Sequence, residues 1–134
     1  MIVGIGTDIV DVERFKWMMR RTPTVLDRLF RDGEKRRCDG TSLTAESLAG
    51  RFAVKEAVAK ALGCPPGLEW HDCVVELADG GAPRLRVDGT VAAACLERGI
   101  TDWHVSISHD GGLSTAFVVA EALGRSDEPT TGTQ

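Results

Sequence analysis

The sequence predicts an α+β fold in which a mostly antiparallel sheet packs against one long central helix and several shorter helices. Short apolar runs near both ends of the chain, together with two Gly-rich turn signals that each separate a pair of such runs, predict the sheet. An alanine-rich stretch from about residue 44 to residue 62 predicts the long helix. The chain has 134 residues, which fits one domain, placed at residues 1–123. The Ser-, Thr-, Pro- and Gly-rich tail 124–134 is predicted to be disordered.

The first half of the chain is predicted to hold one strand and then helical segments. Residues 2–10 are mainly apolar, which is typical of a buried strand. An aspartate is placed to cap a helix over about residues 11–21, and a Thr-Pro pair begins a second helix over about 22–30. The polar residues 31–42 indicate a short helix and a mobile loop. The central helix, 44–62, is stopped by a glycine and two prolines.

The second half of the chain is predicted to consist of two β-hairpins separated by a helix. Each hairpin is indicated by two apolar runs that flank a turn containing Gly-Gly and Asp. The helix between them ends at a glycine. The predicted segments are the strands Cys73–Ala78 and Arg84–Asp88, the helix Thr90–Arg98, and the strands Trp103–Ser108 and Leu113–Ala120.

The composition limits the possible partners. The formal net charge is −4, but residues 1–37 carry nine basic and six acidic side chains (+3), and residues 38–134 carry seven and fourteen (−7). The overall acidity argues against general nucleic-acid binding, whereas the basic N-terminal part is suited to an acidic partner. An ordinary solvated surface is the alternative explanation of this split. No apolar stretch reaches the length of a membrane span, so no membrane contact is expected.

The cysteines indicate a reducing compartment. They are scattered without a Cys-x-x-Cys pair, and the single His-x-Cys is too isolated to suggest a zinc site. The start of the chain lacks the features of a secretory signal. We therefore expect free thiols and a cytoplasmic protein. The cysteines are Cys38, Cys64, Cys73 and Cys95.

The central helix carries charged side chains among alanine and aliphatic residues. Glu56 and Lys60 lie one turn apart, and an acid and a base in this apolar setting suggest a site for a metal and phosphates. A surface ion pair worth about 0.3–0.5 kcal/mol is the alternative. Arg51 and Lys55 form a second pair at the same spacing, and their like charges repel unless an anion lies across them.

A second candidate site lies on the first strand. Asp8 shares one face of this strand with Gly4 and Gly6, where glycines permit a close approach of backbone or ligand. The alternative role for Asp8 is to cap the helix that follows. The two glycines are not a dinucleotide-binding fingerprint, because no third glycine or helix start follows at the required distance.

A third candidate site lies at the second hairpin. Ser106 and Ser108 point to one side of the predicted strand, and His109 and Asp110 follow at its end. Hydroxyls, an imidazole and turn amides gathered there are suited to hold phosphate oxygens. A Ser-His-Asp catalytic triad is disfavoured, because the adjacent side chains of Ser108 and His109 diverge and no Gly-x-Ser-x-Gly motif is present.

Together, the three segments resemble the holo-acyl-carrier-protein synthase type of 4′-phosphopantetheinyl transferase. The resemblance rests on Gly6–Ile9, on Phe52–Ala57 with Lys60–Gly63, and on Ser106–His109, in that order and spacing, and it covers about residues 2–122. It implies the 4′-phosphopantetheinyl transferase fold. It also implies Mg²⁺-dependent transfer of phosphopantetheine from coenzyme A to a serine of an acyl carrier protein, with release of adenosine 3′,5′-bisphosphate, in fatty acid or polyketide biosynthesis.

For the reaction centre, the resemblance implies that Asp8 and Glu56 bind Mg²⁺ together with the coenzyme A pyrophosphate, and that Lys60 lies close to that pyrophosphate. One or two carboxylates plus substrate phosphates are the usual ligands of protein-bound Mg²⁺. Mg²⁺ and Lys60 would stabilise the developing charge while a serine hydroxyl attacks phosphorus. Asp8, Glu56 and Asp110 are all candidates for the group that accepts the serine proton, and the sequence does not choose among them.

For the binding surfaces, the resemblance implies that Arg51, Ser108 and His109 belong to the phosphate-binding pocket. We place Lys55 with them, because an anion such as the 3′-phosphate of coenzyme A would relieve its repulsion with Arg51. Arg14, on the first helix, is implied to meet the acidic recognition helix of the carrier protein. Members of the family are similar in forming homotrimers, with each active site built across two subunits.

Two other functions remain open at the level of sequence. A non-catalytic module that binds coenzyme A or a carrier protein would need Arg14 and Arg51 but neither Asp8 nor Glu56. A metal-dependent phosphohydrolase would use the same carboxylates on another small phosphate ester.

Overall fold

The computed structural model describes residues 1–77 and 81–124 and contains the predicted sheet and long helix. The predicted turn after residue 78 lies partly outside these residues, and so does the predicted tail, apart from Gly124. Within the described ranges, no helix is both long and apolar enough to cross a membrane. The elements are the strands β1 (Ile2–Asp11), β2 (Cys73–Leu77), β3 (Pro83–Val87), β4 (Asp102–Asp110) and β5 (Leu113–Glu121), and the helices α1 (Val12–Arg21), α2 (Val25–Leu29), α3 (Ala45–Ala61) and α4 (Gly89–Arg98).

The strands form two antiparallel sheets. One has the order β1-β5-β4 and the other pairs β2 with β3. The long helix α3 packs across β1 and β5, and its alanines and valines face the small residues of β5 in the main core. A second core cluster lies between α1, α2 and the first turn of α3. The predicted α+β class with a mostly antiparallel sheet is therefore confirmed.

Two glycines determine how closely β1 approaches α3. A Cβ atom at Gly4 would overlap the backbone of Ala61, and one at Gly6 would overlap the backbone carbonyl of Ala57. Only glycine at these two positions lets the backbone of β1 lie directly on α3. The helix residues at the contact are alanines, whose side chains are single methyl groups. The next residue on this face of β1, Asp8, is thereby brought against the last turns of α3.

The ends of several elements differ from the sequence prediction. The second hairpin turns at Gly111 and Gly112, which have φ values of 56° and 80°. Two consecutive residues with positive φ are typical of the type I′ turn, whose twist matches that of the two strands it joins. The two glycines form the whole turn, and β4 therefore continues through His109 and Asp110. The prediction that these two residues lie in the turn was wrong. The helix predicted at about residues 22–30 is only the five-residue α2.

The polar segment before α3 is folded onto the domain. It begins with a short 3₁₀ helix, Asp32–Lys35, and a bridge between Arg36 and Ser42 closes the loop that follows. Glu34 is 3% exposed and is the residue of this segment that reaches the interior. The predicted short helix is thus confirmed as a single 3₁₀ turn.

Candidate active site between β1, α1 and α3

Asp8 and Lys60 meet where β1 crosses the end of α3. The Lys60 Nζ donates to Asp8 Oδ1 and to the carbonyl oxygen of Thr7, each at 3.0 Å. The Asp8 side chain is 16% exposed and the Lys60 side chain 49%. Helix capping, the alternative role for Asp8, is instead performed by Asp11, whose Oδ1 accepts a hydrogen bond from the backbone amide of Arg14 at 3.0 Å.

Glu56 lies one turn before Lys60 on α3, on the side that faces Asp8. Burial raises the pKa of the Glu56 carboxyl, and the negative charge of Asp8 raises it further, while Lys60 opposes both effects. The two carboxylates are therefore close enough to repel, and a single ammonium group compensates them incompletely. Such a pair is a site where an added cation would be stabilised.

The two carboxylates open into a groove of about 510 Å³, which we call the carboxylate groove. Its other wall is α1, which contributes Arg14 and Trp17, and its floor includes Phe52 of α3. An apolar lining with an acidic end and a basic rim is suited to a flexible ligand that carries phosphates at one end. The lining residues are Asp8, Ile9, Val10, Asp11, Arg14, Phe15, Trp17, Met18, Phe52 and Glu56.

The donor set of the carboxylate groove fits Mg²⁺ held jointly with a substrate. Among the described residues, no cluster of three or more His, Cys, Asp or Glu side chains could hold a metal alone. Two carboxylates would leave most of an octahedral shell for water and phosphate oxygens, as Mg²⁺ requires. Lys60 supplies a further positive charge on the same side.

Arg51 lies at a separate site, on the side of α3 that faces β2. Burial lowers the pKa of its guanidinium, with the charge of Glu34 opposing this effect, and its Nη1 donates to the carbonyl oxygen of Val75 at 2.7 Å. Arg51 lines two neighbouring cavities of about 200 and 660 Å³, which we call the Arg51 cavities. Arg36 and Arg37, which sequence reasoning did not select, line the larger one and add two cations.

Lys55 does not join these sites. Its Nζ donates to Glu34 Oε1 and to the carbonyl oxygen of Trp70, both at 3.0 Å, and the Lys55 side chain is 1% exposed. The anion that relieves its repulsion with Arg51 is therefore supplied by Glu34 of the chain itself. The expectation that the Lys55 ammonium lies in the phosphate site is not met in this structure. No periodicity in the sequence identifies Glu34 as the partner, because the two residues are 21 positions apart.

The residues of β4 are divided between the two faces of the sheet. Ser108 lies on the exposed face, whereas His109 lies on the face towards α3 and lines the smaller Arg51 cavity. Asp110, at the end of the strand, alternates with His109 and is exposed. Because β4 extends to Asp110, the side chains of Ser108 and His109 of one chain point to opposite faces of the sheet.

Comparison with known proteins identifies the family. Residues 4–118 match the model of the 4′-phosphopantetheinyl transferase superfamily. The chain is 56% identical over 121 residues to the holo-[acyl-carrier-protein] synthase of Salinispora arenicola, covering 90% of this chain and 99% of the relative. It is also 55% identical over 122 residues to the holo-[acyl-carrier-protein] synthase of Kocuria rhizophila, covering 91% of this chain and 94% of the relative.

Solved structures show the same fold. The structure of holo-[acyl-carrier-protein] synthase from Neisseria meningitidis superposes with a TM-score of 0.80 at 30% identity, covering 90% of this chain and 99% of that one. The Helicobacter pylori enzyme in complex with coenzyme A gives a TM-score of 0.75 at 31% identity, covering 87% and 99%. The carboxylate groove and the Arg51 cavities thus lie in a fold shared with an enzyme solved with coenzyme A, and the chain belongs to the 4′-phosphopantetheinyl transferase superfamily.

Proposed function

We propose that this enzyme transfers the 4′-phosphopantetheine group from coenzyme A to a serine of an apo-acyl carrier protein of fatty acid or polyketide synthesis, in a Mg²⁺-dependent reaction that releases adenosine 3′,5′-bisphosphate. The observation that carries the proposal is the convergence of Asp8, Glu56 and Lys60 at one end of the carboxylate groove. Two repelling carboxylates beside one lysine would attract a divalent cation and a pyrophosphate together.

The chain's own groups would neutralise and align the reactants. Asp8 and Glu56 would hold Mg²⁺, which when bound would supply positive charge to stabilise the pyrophosphate oxygens. The Lys60 ammonium, 49% exposed, is accessible to the same oxygens. Phosphoryl transfer needs mainly such positioning and charge neutralisation, and little covalent chemistry from the protein.

We favour Glu56 as the group that accepts the proton of the attacking serine, directly or through water. Glu56 lines the carboxylate groove beside the proposed reaction centre, and in the metal-free chain burial raises the pKa of its carboxyl. Asp8 already accepts a hydrogen bond from Lys60, and Asp110 lies at the exposed end of β4 rather than on the groove side of the sheet.

The Arg51 cavities would hold the 3′-phosphate and adenosine end of coenzyme A. Arg51 and His109 line the smaller cavity, and Arg36 and Arg37 add charge to the larger one. Guanidinium groups suit phosphate oxygens because they donate two parallel hydrogen bonds.

The exposed side of α1 would receive the carrier protein. Arg14 lines the carboxylate groove, and Trp17 is 53% exposed with the guanidinium of Arg21 5.1 Å from its ring centre. These residues fall on one stripe of the helix, at spacings of three, four and seven. A basic stripe with an aromatic centre, next to the reaction site, fits an acidic helix carrying the target serine.

The outer face of the three-stranded sheet would form the homotrimer. Ile5, Ile9 and Phe117 are 54%, 65% and 46% exposed on the side of the sheet that faces away from α3. A cluster of exposed apolar side chains across the edge strand β1 and the central strand β5 indicates a protein–protein contact. Ser108 lies on the same face, so in such an assembly it would face a neighbouring subunit and could contribute to a site shared between two subunits. The number of subunits rests on the family resemblance, and a monomer in sedimentation equilibrium would contradict the assembly.

A cytoplasmic location is proposed from the thiols. All four cysteines are free: Cys38 and Cys64 are exposed, and Cys73 and Cys95 are buried. Exposed unpaired thiols persist in a reducing compartment.

The function is tested by weighing an apo-acyl carrier protein after incubation with the enzyme, coenzyme A and Mg²⁺. Transfer predicts a mass gain of about 340 Da, the mass of phosphopantetheine added by phosphoryl transfer. The same mixture with a metal chelator should give no gain. An unmodified carrier with intact coenzyme A would indicate a binding module, and an unmodified carrier with free phosphopantetheine would indicate a hydrolase.

A further inference from the structure

The hydroxyl group of Ser114 links the end of β4 to the start of α3. Ser114 is fully buried and lies on β5 directly opposite His109. Its Oγ is 2.7 Å from Nδ1 of His109 and 3.2 Å from the carbonyl oxygen of Glu46, in the first turn of α3. The carbonyl of Glu46 can only accept, whereas the direction of the His109–Ser114 hydrogen bond depends on the tautomer of His109.

A carbonyl oxygen can only accept a hydrogen bond, so the single proton of the Ser114 hydroxyl is donated to Glu46. The lone pairs of Oγ then remain for His109, and Nδ1 must carry a proton to complete the 2.7 Å contact. A lone pair on Nδ1 would place two acceptors against each other. We infer that Ser114 is a positioning residue, which fixes neutral His109 as the tautomer protonated on Nδ1 and leaves Nε2 as the nitrogen available to a ligand.

The other side of the imidazole ring is held by α3. A Cβ atom at Gly50 would lie 2.9 Å from Cε1 and 3.6 Å from Nε2 of His109, so the ring occupies space that only glycine leaves open. The same ring lines the smaller Arg51 cavity together with Ser47 and Arg51. Ser114 and Gly50 thus fix the direction of a ring that lines the cavity beside Arg51.

The charged surroundings of His109 are simple. From α3, Arg51 shares its cavity, and Glu46, whose backbone carbonyl accepts from Ser114, has an exposed side chain; β5 contributes the Ser114 hydroxyl. On β4 the neighbouring Asp110 alternates to the opposite face of the sheet. Within the described ranges, no carboxylate forms an ion pair with His109. The hydroxyl of Ser114, rather than a nearby charge, therefore selects the tautomer.

The consequence for binding rests on the proposed function. A neutral ring protonated on Nδ1 presents a lone pair to a phosphate oxygen at Nε2, and it donates there only after taking up a second proton. Phosphate binding beside Arg51 is therefore coupled to proton uptake by His109. A chain without the Ser114 hydroxyl can adopt the other neutral tautomer and donate from Nε2 without that proton.

The tautomer is measured by NMR on the full chain with ¹⁵N-labelled histidine, in the absence of ligand. The signals of His109 are assigned as those lost in His109→Asn, which separates them from His71 and His104. At a pH where the ring is neutral, the native protein should show Nδ1 protonated and Nε2 unprotonated. Ser114→Ala should shift the population towards the Nε2-protonated form, and Ser114→Thr, which keeps the hydroxyl, should retain the native pattern.

A native ring protonated on Nε2 overturns the inference, whatever the variants do, and so does a native tautomer that is unchanged in folded Ser114→Ala. The binding consequence is measured by calorimetry with adenosine 3′,5′-bisphosphate in two buffers of different ionisation enthalpy. Proton uptake should be greater for the native protein than for Ser114→Ala under identical conditions, so that titration of the ligand itself cancels. Equal uptake contradicts the binding role while leaving the tautomer result unaffected. Failure of phosphopantetheine transfer by the native enzyme, in contrast, rejects only the proposed function.

Discussion

Two lysines of α3 each form an ion pair with a carboxylate from another segment of the chain, and the two pairs differ in their surroundings. Lys55 with Glu34 and Lys60 with Asp8 both have N···O distances of 3.0 Å. The Lys55 and Glu34 side chains are 1% and 2% exposed, whereas those of Lys60 and Asp8 are 49% and 16% exposed. Geometry alone therefore does not distinguish a structural pair from a candidate ligand site.

The difference in burial determines what each pair can do. Burial lowers the pKa of Lys55 even though the charge and hydrogen bond of Glu34 oppose the shift. Neither partner can leave the other without stranding a charge in the interior. Lys60 can turn from Asp8 to a phosphate at little cost, because water screens the exposed pair.

The largest effect on activity is expected for Glu56→Gln in the carboxylate groove. The amide keeps the shape of the side chain but removes the charge that would hold Mg²⁺, so turnover should fall by at least about 100-fold, equivalent to several kcal/mol of charge stabilisation. The rate of carrier modification at saturating coenzyme A measures this loss, and circular dichroism checks that the fold is intact. Near-native turnover at high Mg²⁺ concentration would refute the metal role of Glu56.

Disrupting the buried Lys55–Glu34 pair should lower the stability of the fold. Glu34→Gln leaves the Lys55 ammonium buried without a counter-charge, and the free energy of unfolding in urea should fall by about 3–5 kcal/mol. Adding Lys55→Met to this variant should recover most of the loss, because it removes the stranded charge. The matched change in the exposed pair, Lys60→Met, should alter stability by less than about 1 kcal/mol. Equal losses for Glu34→Gln and Lys60→Met would break the comparison.

A smaller effect, on one substrate only, is expected at the rim of the carboxylate groove. Arg14→Glu places a like charge against an acidic carrier protein and should raise its KM by about tenfold or more, with the KM of coenzyme A nearly unchanged. The control is Arg98→Glu on α4, an exposed arginine outside the groove, which should leave both constants near their native values. An equal loss for both substrates in Arg14→Glu would show that Arg14 does not act through the carrier protein.

The smallest expected effect is that Glu56→Gln, which removes the charge of Glu56, makes the protein more stable at neutral pH but not in acid. Because its pKa is raised by burial, the folded state holds the Glu56 proton more tightly than the unfolded chain does. Ionisation therefore destabilises the fold as the pH rises through the raised pKa, and this cost is absent below the ordinary value of 4.5. In calorimetry without divalent ions, Glu56→Gln should have the higher Tm at neutral pH and the same Tm as the native protein in acid. A lower Tm at neutral pH would contradict the sign.

Several parts of the fold and site follow from local patterns. The long helix over about residues 44–62, with Gly63 as its stop, was predicted from composition and from the glycine and prolines that follow, and the structure confirms it as α3. The glycines at 4 and 6 predicted a close approach to the first strand, which places Asp8 beside Lys60. These features depend on neighbours a few residues apart, or on the absence of a side chain.

Other parts could not be predicted, because they depend on distant contacts. Glu34 meets Lys55 across 21 residues, and no periodicity links the loop that carries it to the helix. Ser114 contacts the carbonyl of Glu46 across 68 residues, and its hydroxyl is unremarkable in a β-strand sequence. The roles of Glu34 and Ser114 depend on how the loop and the strands pack against α3.

The sequence by itself determined which charged residues α3 carries and where β1 can touch it, because helix periodicity and the lack of a Cβ are local properties. Only the tertiary structure decided which of these charges are buried. Lys55 and Lys60 stand on the same helix, but one meets the folded-back loop and the other meets the open end of the strand. The free energy of a charge depends on the solvent and partners around it, and these are set by segments distant in the chain.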